Sequence, residues 1–533
     1  MKRFKLLTFL LMLFLVAGAV SCDDQDDPVA PQEPDPIETP DDPDDSDLFG
    51  GLDGCTVYPA GEGAYKDTYL TLEFDAAPTL GTTGRIRIFR ASDDTEVDYI
   101  DMAEVAAGHE RMAAGQTIKT THDVIGPKGL RRYRVVNYEP VTLDGRKITI
   151  RPHYDVLDYE AAYYVVIDGE AIVDDGFGGV GAGAWGFTTK SKPTANAVTV
   201  GEKGADFRTV QAALDYGYAL GSDAALEIRI LPGQYEEQLF MRYNNNITLK
   251  GMGETPDDVR IFYRNGDDLN GGVGGSTSVS ASPLDNPSGK PQIGDEIGYA
   301  GGRTVMLVES CDNLRFENLT LENTRGKGAQ AEALYNNDNS GDCGIVAVNC
   351  KFFGYQDTLN LKGYCWFYNC LVAGDVDFIW GGATAALFEQ CEIRTMSDGA
   401  YIVNARVASG RKGFIFLDCR LTRASGVAAA SSWLARHGED KSYDNVTYVN
   451  CKMDSHIAPE GWHKSDAAKF TPSPMTAEKG LKEYGTTTLL GGAYSLASRL
   501  SCAYALTAAD VETYYKDRET ILKGYTKKAR WTE

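Results

Sequence analysis

Two aspartates occupy the same position in a repeated sequence pattern. Asp357 lies seven residues after Cys350, and Asp377 lies seven residues after Cys370. If the cysteines stack on adjacent strands, the aspartates stack as well, roughly 5 Å apart. Two carboxyl groups that close cannot both ionise cheaply, so one is expected to hold a proton while the other stays an anion. The pair would supply an acid and a nucleophile, although spacing alone leaves open that each aspartate only caps a turn.

The pattern around these aspartates occurs five times. Each copy reads polar residue, cysteine, any residue, apolar residue, and successive cysteines are separated by 20, 21, 28 and 32 residues. The cysteines are Cys350, Cys370, Cys391, Cys419 and Cys451. A unit of about 20 residues cannot bury its own apolar face and must stack on its neighbours. Short strands between Gly and Asn turns therefore predict an all-β chain with a parallel β-helix over residues 195–533.

The beginning of the chain predicts export. Basic residues precede an apolar run, 6–20, that is too short for a membrane span, so residues 1–22 are interpreted as a signal peptide. Small residues lead into Cys22, which resembles the lipobox of bacterial lipoproteins and predicts lipidation there; a plain secretory signal is the alternative. The acidic residues that follow resemble the export tag of surface lipoproteins in Bacteroidetes-type bacteria. We therefore expect an exported lipoprotein at the outer membrane or cell surface of a Gram-negative bacterium, with the lipid as its only membrane contact.

Charge and composition limit the partners. The net charge is −24, which argues against nucleic acid as a ligand. Residues 23–48 contain ten Asp, two Glu, six Pro and no Lys or Arg, so this segment is predicted to be an extended tether. The tether accounts for half of the net charge, and the acidic balance is therefore not mainly a property of the folded surface.

Residues 49–190 show a different pattern, in which short runs alternate between apolar and polar residues. This alternation predicts half-buried antiparallel strands and a small β-sandwich. The motifs Tyr58-Pro59-Ala60-Gly61 and Trp185-Gly186-Phe187-Thr188-Thr189 resemble those of bacterial Ig-like modules attached to secreted enzymes. We interpret the region as a spacer or accessory module; its aromatic residues are expected in the core, with carbohydrate binding as the alternative.

The cysteine repeat predicts whether the thiols are free, form disulfides or bind a metal. Many cysteines in an exported protein normally suggest disulfides. Here the repeated cysteines would instead stack about 4.8 Å apart as small apolar residues inside the helix. We expect this ladder in preference to disulfides, and zinc is less expected still because the sequence contains no CxxC motif.

The sequences around the two aspartates resemble signature blocks of the pectin methylesterase family. These blocks are Gly354-Tyr355-Gln356-Asp357-Thr358-Leu359 and Asp377-Phe378-Ile379-Trp380-Gly381. Further blocks resemble the family in the expected order between about 200 and 531, including Gly204-Ala205-Asp206-Phe207, Gln330-Ala331-Glu332-Ala333-Leu334 and Ile457-Ala458-Pro459-Glu460-Gly461-Trp462. The resemblance implies a right-handed parallel β-helix that removes methyl groups from esterified polygalacturonate without a metal or other cofactor.

The resemblance also implies roles for individual residues. Asp377 corresponds to the nucleophile, and Asp357 to the group that protonates methanol and then activates water. Gln330 and Gln356 correspond to the glutamines that stabilise the oxyanion. Arg436 corresponds to an arginine that would keep the nucleophile ionised.

One family block is altered in this sequence. His437 and Gly438 stand where the family has Pro and Trp, and that Trp contributes to the sugar platform. Trp433, Trp380 and Tyr355 are therefore candidate substrate-binding residues, with a core role as the alternative for each tryptophan. We expect His437 to be solvated and without a catalytic role.

Two other functions are consistent with parts of the sequence. One is a β-helix hydrolase or lyase acting on polygalacturonate; the other is a catalytically silent, pectin-binding surface protein, which draws only on the altered block. An inverting glycosidase needs its carboxyl groups about 6.5–9.5 Å apart, which adjacent coils do not provide. The sequence favours a monomeric pectinesterase with pectin as its partner.

Overall fold

The computed structural model describes residues 48–113, 119–125, 131–137, 139–268, 303–338, 340–527 and 531. The predicted signal peptide, the lipidation site Cys22 and all of the predicted tether except Leu48 lie outside the described residues. Within the described ranges, no helix has the length and apolar character needed to cross a membrane.

The alternating runs near the beginning of the described chain form two mainly antiparallel five-stranded sheets. One consists of Gly50–Leu52, Cys55–Tyr58, Leu70–Phe74, Lys147–Ile150 and Val141–Asp144. The other consists of Gly61–Ala64, Gly186–Thr189, Ala162–Ile167, Arg85–Arg90 and Thr95–Asp101. Smaller elements are the strand pairs Ile172–Val173 with Thr79–Leu80 and Lys119–Ile125 with Arg131–Asn137, and the helix Met102–Ala113. Alternate residues of the strands, such as Leu70, Leu72 and Phe74, are buried in one shared core, which makes this region a β-sandwich.

The rest of the chain winds through three parallel sheets. The eleven-stranded sheet consists of Ala197–Val200, Leu226–Ile230, Ile247–Gly251, Leu314–Glu317, Gly344–Val348, Gly363–Tyr368, Ala383–Glu389, Gly413–Leu417, Val446–Val449, Leu481–Tyr484 and Tyr504–Ala505. The nine-stranded sheet consists of Gly233–Glu236, Val259–Tyr263, Thr320–Asn323, Lys351–Phe353, Leu371–Gly374, Glu392–Thr395, Arg420–Arg423, Lys452–Met453 and Thr487–Thr488. The seven-stranded sheet consists of Leu239–Arg242, Met306–Glu309, Leu334–Asn337, Leu359–Asn360, Val376–Gly381, Tyr401–Ala405 and Trp433–Arg436. The predicted fold class, a right-handed parallel β-helix preceded by a β-sandwich, is confirmed.

The cysteine repeat marks a sharp corner between two sheets. The polar residue before each cysteine has a left-handed backbone, with φ values between 50° and 55°; these residues are Asn349, Asn369, Gln390, Asp418 and Asn450. Asn, Asp and similar side chains tolerate this conformation best, which explains the polar position of the repeat. All five cysteines are buried and free, and the backbone N–H of Cys350 lies 3.4 Å from the Sγ of Cys370 on the next coil. The predicted thiol ladder is therefore confirmed.

Helices cover parts of the β-helix. Val210–Leu220 packs its apolar residues against the core of the first coil. Ala508–Tyr514 and Arg518–Ile521 lie near the end of the chain, and Lys464–Asp466 forms a 3₁₀ turn. The sandwich contacts the first of these helices directly, because a carboxylate oxygen of Asp67 accepts hydrogen bonds from the backbone N–H and the hydroxyl of Thr209 at 2.6 and 2.7 Å. The Tyr65 hydroxyl also accepts from the N–H of Ala205 at 3.1 Å.

Candidate active site

The two aspartates of the repeat lie side by side on the seven-stranded sheet. Leu359 pairs with Ile379 on the adjacent parallel strand, and Asp357 and Asp377 each lie two residues before this pair. The backbone N–H of Asp357 donates to the carbonyl of Val376 at 3.0 Å. Asp357 and Asp377 therefore occupy neighbouring positions, as the cysteine spacing predicts.

The backbone around these aspartates directs their side chains. Asp357 and Asp377 have φ values of 68° and 51°, and only 4% and 3% of their surface is exposed. Between Val376 and Ile379 the strand has one residue more than its partner Tyr401–Ala405. Such a bulge bends a strand and changes the direction of a side chain, and here it lies at Asp377.

Two neighbouring strands hold the side chain of Asp377. Arg436 donates from Nε to Oδ1 at 2.6 Å and from Nη2 to Oδ2. Asn404 donates from Nδ2 to Oδ2 at 3.0 Å. Because three donors face its two oxygens, Asp377 is held as a carboxylate in a single orientation. The Arg436 guanidinium also lies 5.4 Å from the ring centre of Tyr401, which supports it from one side.

The second aspartate has a different environment. The pKa of Asp357 is raised to about 8, chiefly by burial and next by the negative charge of Glu332. Arg303 opposes this increase, Asp377 adds to it, and Arg406 opposes it more weakly. Asp357 is therefore mostly protonated at pH 7. The two adjacent carboxyl groups divide into an acid and an anion, which is the arrangement expected from their spacing.

The two predicted glutamines meet at the corner before the seven-stranded sheet. Gln330 and Gln356 form a parallel β-bridge, and the N–H of Ala331 donates to the carbonyl of Gln356 at 3.1 Å. Gln356 directly precedes Asp357, and both glutamines are half-buried. The structure thus brings together two amide groups and the aspartate pair.

Sequence reasoning missed three residues of this site. Arg303 donates to Asp357 and Glu332, and Asn404 donates to Asp377. One signal was available, because Glu332 interrupts the otherwise apolar stretch 331–334 and a charge in a buried stretch requires a partner. Asn404 gave no such signal.

The predicted aromatic residues occupy different positions at the site. Trp433 is half-buried and stacks on Tyr401 with the ring centres 5.4 Å apart, and both rings meet the edge of His463. Since Trp433 and Arg436 share one strand and Arg436 donates to Asp377, this cluster lies near Asp377. Tyr355 is half-buried on the corner just before Gln356.

Trp380 is more enclosed than a sugar platform would be. Only 8% of its surface is exposed, and its ring meets the edge of Tyr335 with the centres 5.8 Å apart. The guanidinium groups of Arg406 and Arg303 lie 4.8 and 5.8 Å from its ring centre. Trp380 therefore supports the charged groups of the site and offers a ligand little surface.

The altered block has a structural explanation. The expectation that His437 is solvated is wrong, because its Nδ1 lies 3.0 Å from the buried carboxylate of Asp444 and its side chain is 11% exposed. At Gly438, a Cβ atom would lie 1.9 Å from the carbonyl oxygen of Ala405. The backbone at this corner therefore excludes the tryptophan of the family block.

Across the described residues, no group of three or more His, Cys, Asp and Glu side chains is arranged to hold a metal ion.

The sequence of this chain is similar to known proteins. A sequence model described as Pectinesterase matches residues 295–478. The probable pectinesterase A of Aspergillus niger is 33% identical over 278 residues, which cover 51% of this chain and 75% of that protein. Pectinesterase 31 of Arabidopsis thaliana is 30% identical over 274 residues, which cover 51% of this chain and 77% of that protein.

Two solved structures resemble the fold. The deglycosylated pectin methylesterase of Aspergillus niger is 26% identical with a TM-score of 0.47, and the match covers 62% of this chain and 94% of that one. The pectin methylesterase of Erwinia chrysanthemi is 22% identical with a TM-score of 0.46, and the match covers 63% of this chain and 98% of that one. On the sequence matches, the chain belongs to the pectinesterase family.

Proposed function

We propose that this protein hydrolyses the methyl esters of pectin, releasing methanol and leaving carboxylates on polygalacturonate, with Asp377 as nucleophile and Asp357 as general acid and base. The observation that carries the proposal is the division of two adjacent buried carboxyl groups into an anion held by Arg436 and a neutral acid. Membership in the pectinesterase family supports pectin as the substrate.

The first step uses the anion. A carboxylate oxygen of Asp377 attacks the carbonyl carbon of the methyl ester, and the carbonyl electrons move to its oxygen. The amide N–H groups of Gln330 and Gln356 lie on the adjacent corner and would donate to this oxyanion. Loss of one such donor typically lowers the rate about 10²-fold or more.

The second step uses the acid. As the oxyanion collapses, the bond to the methoxy oxygen breaks and Asp357 transfers its proton to that oxygen, which leaves as methanol. Asp377 is then joined to the galacturonate carbonyl as an anhydride. Asp357, now a carboxylate, takes a proton from water as the water oxygen attacks the same carbonyl. Cleavage of the anhydride releases the acid and restores both aspartates to their starting forms.

The alternative functions fit the site less well. Inverting glycosidases separate their carboxyl groups by about 6.5–9.5 Å to admit water, whereas adjacent strands of a sheet are about 4.8 Å apart. A silent binding protein would have no use for a protonated Asp357 beside a carboxylate held by three donors. The geometry therefore favours the esterase over an inverting hydrolase and over a silent binding protein.

The proposal is tested by methanol release from highly methylated pectin. The wild-type protein should release methanol, and Asp377→Asn should abolish release while leaving the fold intact. Asp418→Asn is a matched control, because Asp418 is an exposed residue at a left-handed corner of the same β-helix. Absence of methanol, together with new reducing ends or unsaturated products, would replace the esterase with the hydrolase or lyase.

We further propose that the protein is exported and anchored through a lipid on Cys22, with the sandwich as an Ig-like spacer and the β-helix acting as a monomer. The lipobox-like sequence before Cys22 and the acidic tether support this proposal. Cells expressing the wild-type protein should incorporate labelled fatty acid into it, and Cys22→Ala should not. Equal labelling of both proteins would contradict lipidation at Cys22, and a dimer mass in light scattering would contradict the monomer.

A further inference from the structure

A buried ion pair borders the acid of the site. Arg303 and Glu332 precede two adjacent parallel strands, Met306–Glu309 and Leu334–Asn337, and their side chains are only 8% and 0% exposed. Arg303 donates from Nε to both carboxylate oxygens of Glu332, at 2.9 and 3.0 Å, and from Nη2 to one of them at 2.8 Å. The orientation of the guanidinium is therefore fixed by three hydrogen bonds.

The same guanidinium reaches two groups of the proposed mechanism. Its Nη2 donates to Oδ2 of Asp357 at 3.2 Å, and its Nη1 donates to Oε1 of Gln330. Arginine presents its donors in a rigid plane, so these contacts depend on the orientation that Glu332 imposes.

We propose that Arg303 and Glu332 are a positioning pair for the ester hydrolysis: Arg303 orients the amide of Gln330, and Glu332 neutralises Arg303 so that Asp357 keeps its proton. The inference rests on the proposed function and assigns to that site two positioning residues that act through Gln330 and Asp357.

The first part of the inference follows from donor chemistry. An amide has an oxygen that accepts and a nitrogen that donates, and a half-buried glutamine side chain can rotate between the two orientations. Arginine has only donors, so it selects the orientation in which the oxygen of Gln330 faces Arg303. The amide N–H groups are then the part of Gln330 available to an oxyanion.

The second part follows from the charges around Asp357. The titratable and charged groups that act on it come from several strands and are Glu332, Arg303, Asp377, Arg406 and Tyr335. A lone guanidinium at 3.2 Å would stabilise the carboxylate form of Asp357. Glu332 offsets the charge of Arg303, and Arg436 offsets that of Asp377. Burial then dominates and favours the neutral acid, in line with the pKa of about 8.

The decisive variant for the charge effect is Glu332→Gln, which keeps the shape and removes the charge. We expect the alkaline limb of the kcat/KM profile to move at least one pH unit toward acid, so that at pH 9 the variant is about tenfold less active than the wild type. Glu322→Gln is the matched control, because Glu322 pairs with Arg260 at 2.7 Å on the nine-stranded sheet, where both side chains are partly exposed. An unchanged limb in Glu332→Gln, or an equal shift in the control, would overturn the charge effect.

The orienting effect is tested through Gln330. Arg303→Lys keeps the positive charge but loses the planar set of N–H donors. We expect kcat to fall about tenfold with little change in KM. In a Gln330→Ala background the same change should have no further effect, since the group it orients is absent. An equal loss of kcat in both backgrounds would show that Arg303 does not act through Gln330.

A double replacement covers the case in which a single variant fails to fold. Arg303→Met with Glu332→Leu replaces the pair by apolar side chains, a change that buried ion pairs often tolerate. This variant should keep the alkaline limb of the wild type, because both charges are absent, and should have a lower kcat. A wild-type kcat would contradict the orienting role.

A titration without turnover separates this inference from the proposed function. The carboxyl signal of Asp357 is followed by NMR in the full chain with labelled aspartate, and is assigned by its absence in Asp357→Asn. Its titration should move toward acid in Glu332→Gln. If the wild-type protein released no methanol, the proposed function would fail, while this titration would still decide whether Glu332 keeps Asp357 protonated.

Discussion

The buried acid should reduce the stability of the protein, and its removal should restore that stability in a pH-dependent way. In the folded protein the pKa of Asp357 is raised from 3.8 to about 8, so the folded state binds this proton more tightly than the unfolded chain does. Stability is therefore unaffected below about pH 4, decreases as the pH rises from 4 to 8, and stays reduced above pH 8. A shift of roughly four pH units corresponds to at most about 6 kcal/mol.

In the variant Asp357→Asn the side chain is neutral at every pH. The folded state therefore does not lose stability through this group as the pH rises from 4 to 8. We expect the thermal midpoints of the variant and the wild type to differ at pH 4 only by an offset that has no link to ionisation. The midpoint of the variant minus that of the wild type should then increase steadily up to pH 8. Calorimetric scans of both proteins at intervals between pH 4 and pH 9 measure the difference. Asp418→Asn, which changes an aspartate on an exposed corner of the same β-helix, is the matched control. A difference for Asp357→Asn that is constant, or that narrows as the pH rises, would refute the reasoning.

Four further predictions concern the same site. The kcat/KM for methanol release should fall about tenfold per pH unit above pH 8, because Asp357 must donate a proton; initial rates between pH 6 and pH 10 measure this. Arg436→Lys should lower kcat about tenfold to a hundredfold, since lysine cannot reproduce the paired hydrogen bonds; steady-state kinetics would refute this if kcat were unchanged. Trp433→Ala should raise KM for methylated oligogalacturonides about tenfold with little effect on kcat, and an unchanged KM would remove it from the substrate surface. Gly438→Ala should lower the free energy of unfolding by at least about 2 kcal/mol, because its Cβ meets the Ala405 carbonyl, and denaturant melts check this.

The fold was predictable because its signal repeats along the chain. Each coil needs a residue that tolerates a left-handed corner followed by a small apolar side chain that stacks inside, and Asn349 with Cys350 meets both needs. Recurrence of this pair fixed the register, and the register placed Asp357 beside Asp377. Sequence periodicity therefore predicted both the β-helix and the position of the aspartate pair.

The remaining parts of the site depend on contacts that no local pattern records. Arg303 meets Asp357 across 54 positions of sequence, and Asn404 meets Asp377 across 27. Neither donor belongs to a repeat, and each could equally have been a surface residue. His437 was misjudged for a similar reason, because its partner Asp444 comes from a loop whose course only the fold determines.

The contact between Asp67 and Thr209 affects the exposed edge of the first coil of the β-helix. A stack of coils has an open first rung whose backbone edge could pair with another chain, and solenoids need a cap at such ends. Here the helix Val210–Leu220 covers that rung, and Asp67 of the sandwich accepts from the backbone N–H groups of Arg208 and Thr209, the two residues directly before the helix. The sandwich thus stabilises the position of the helix that caps the first coil. A fragment that begins after the sandwich would retain every group of the active site but would lose the Asp67 contacts. Its first coil would then be more open to pairing with another molecule.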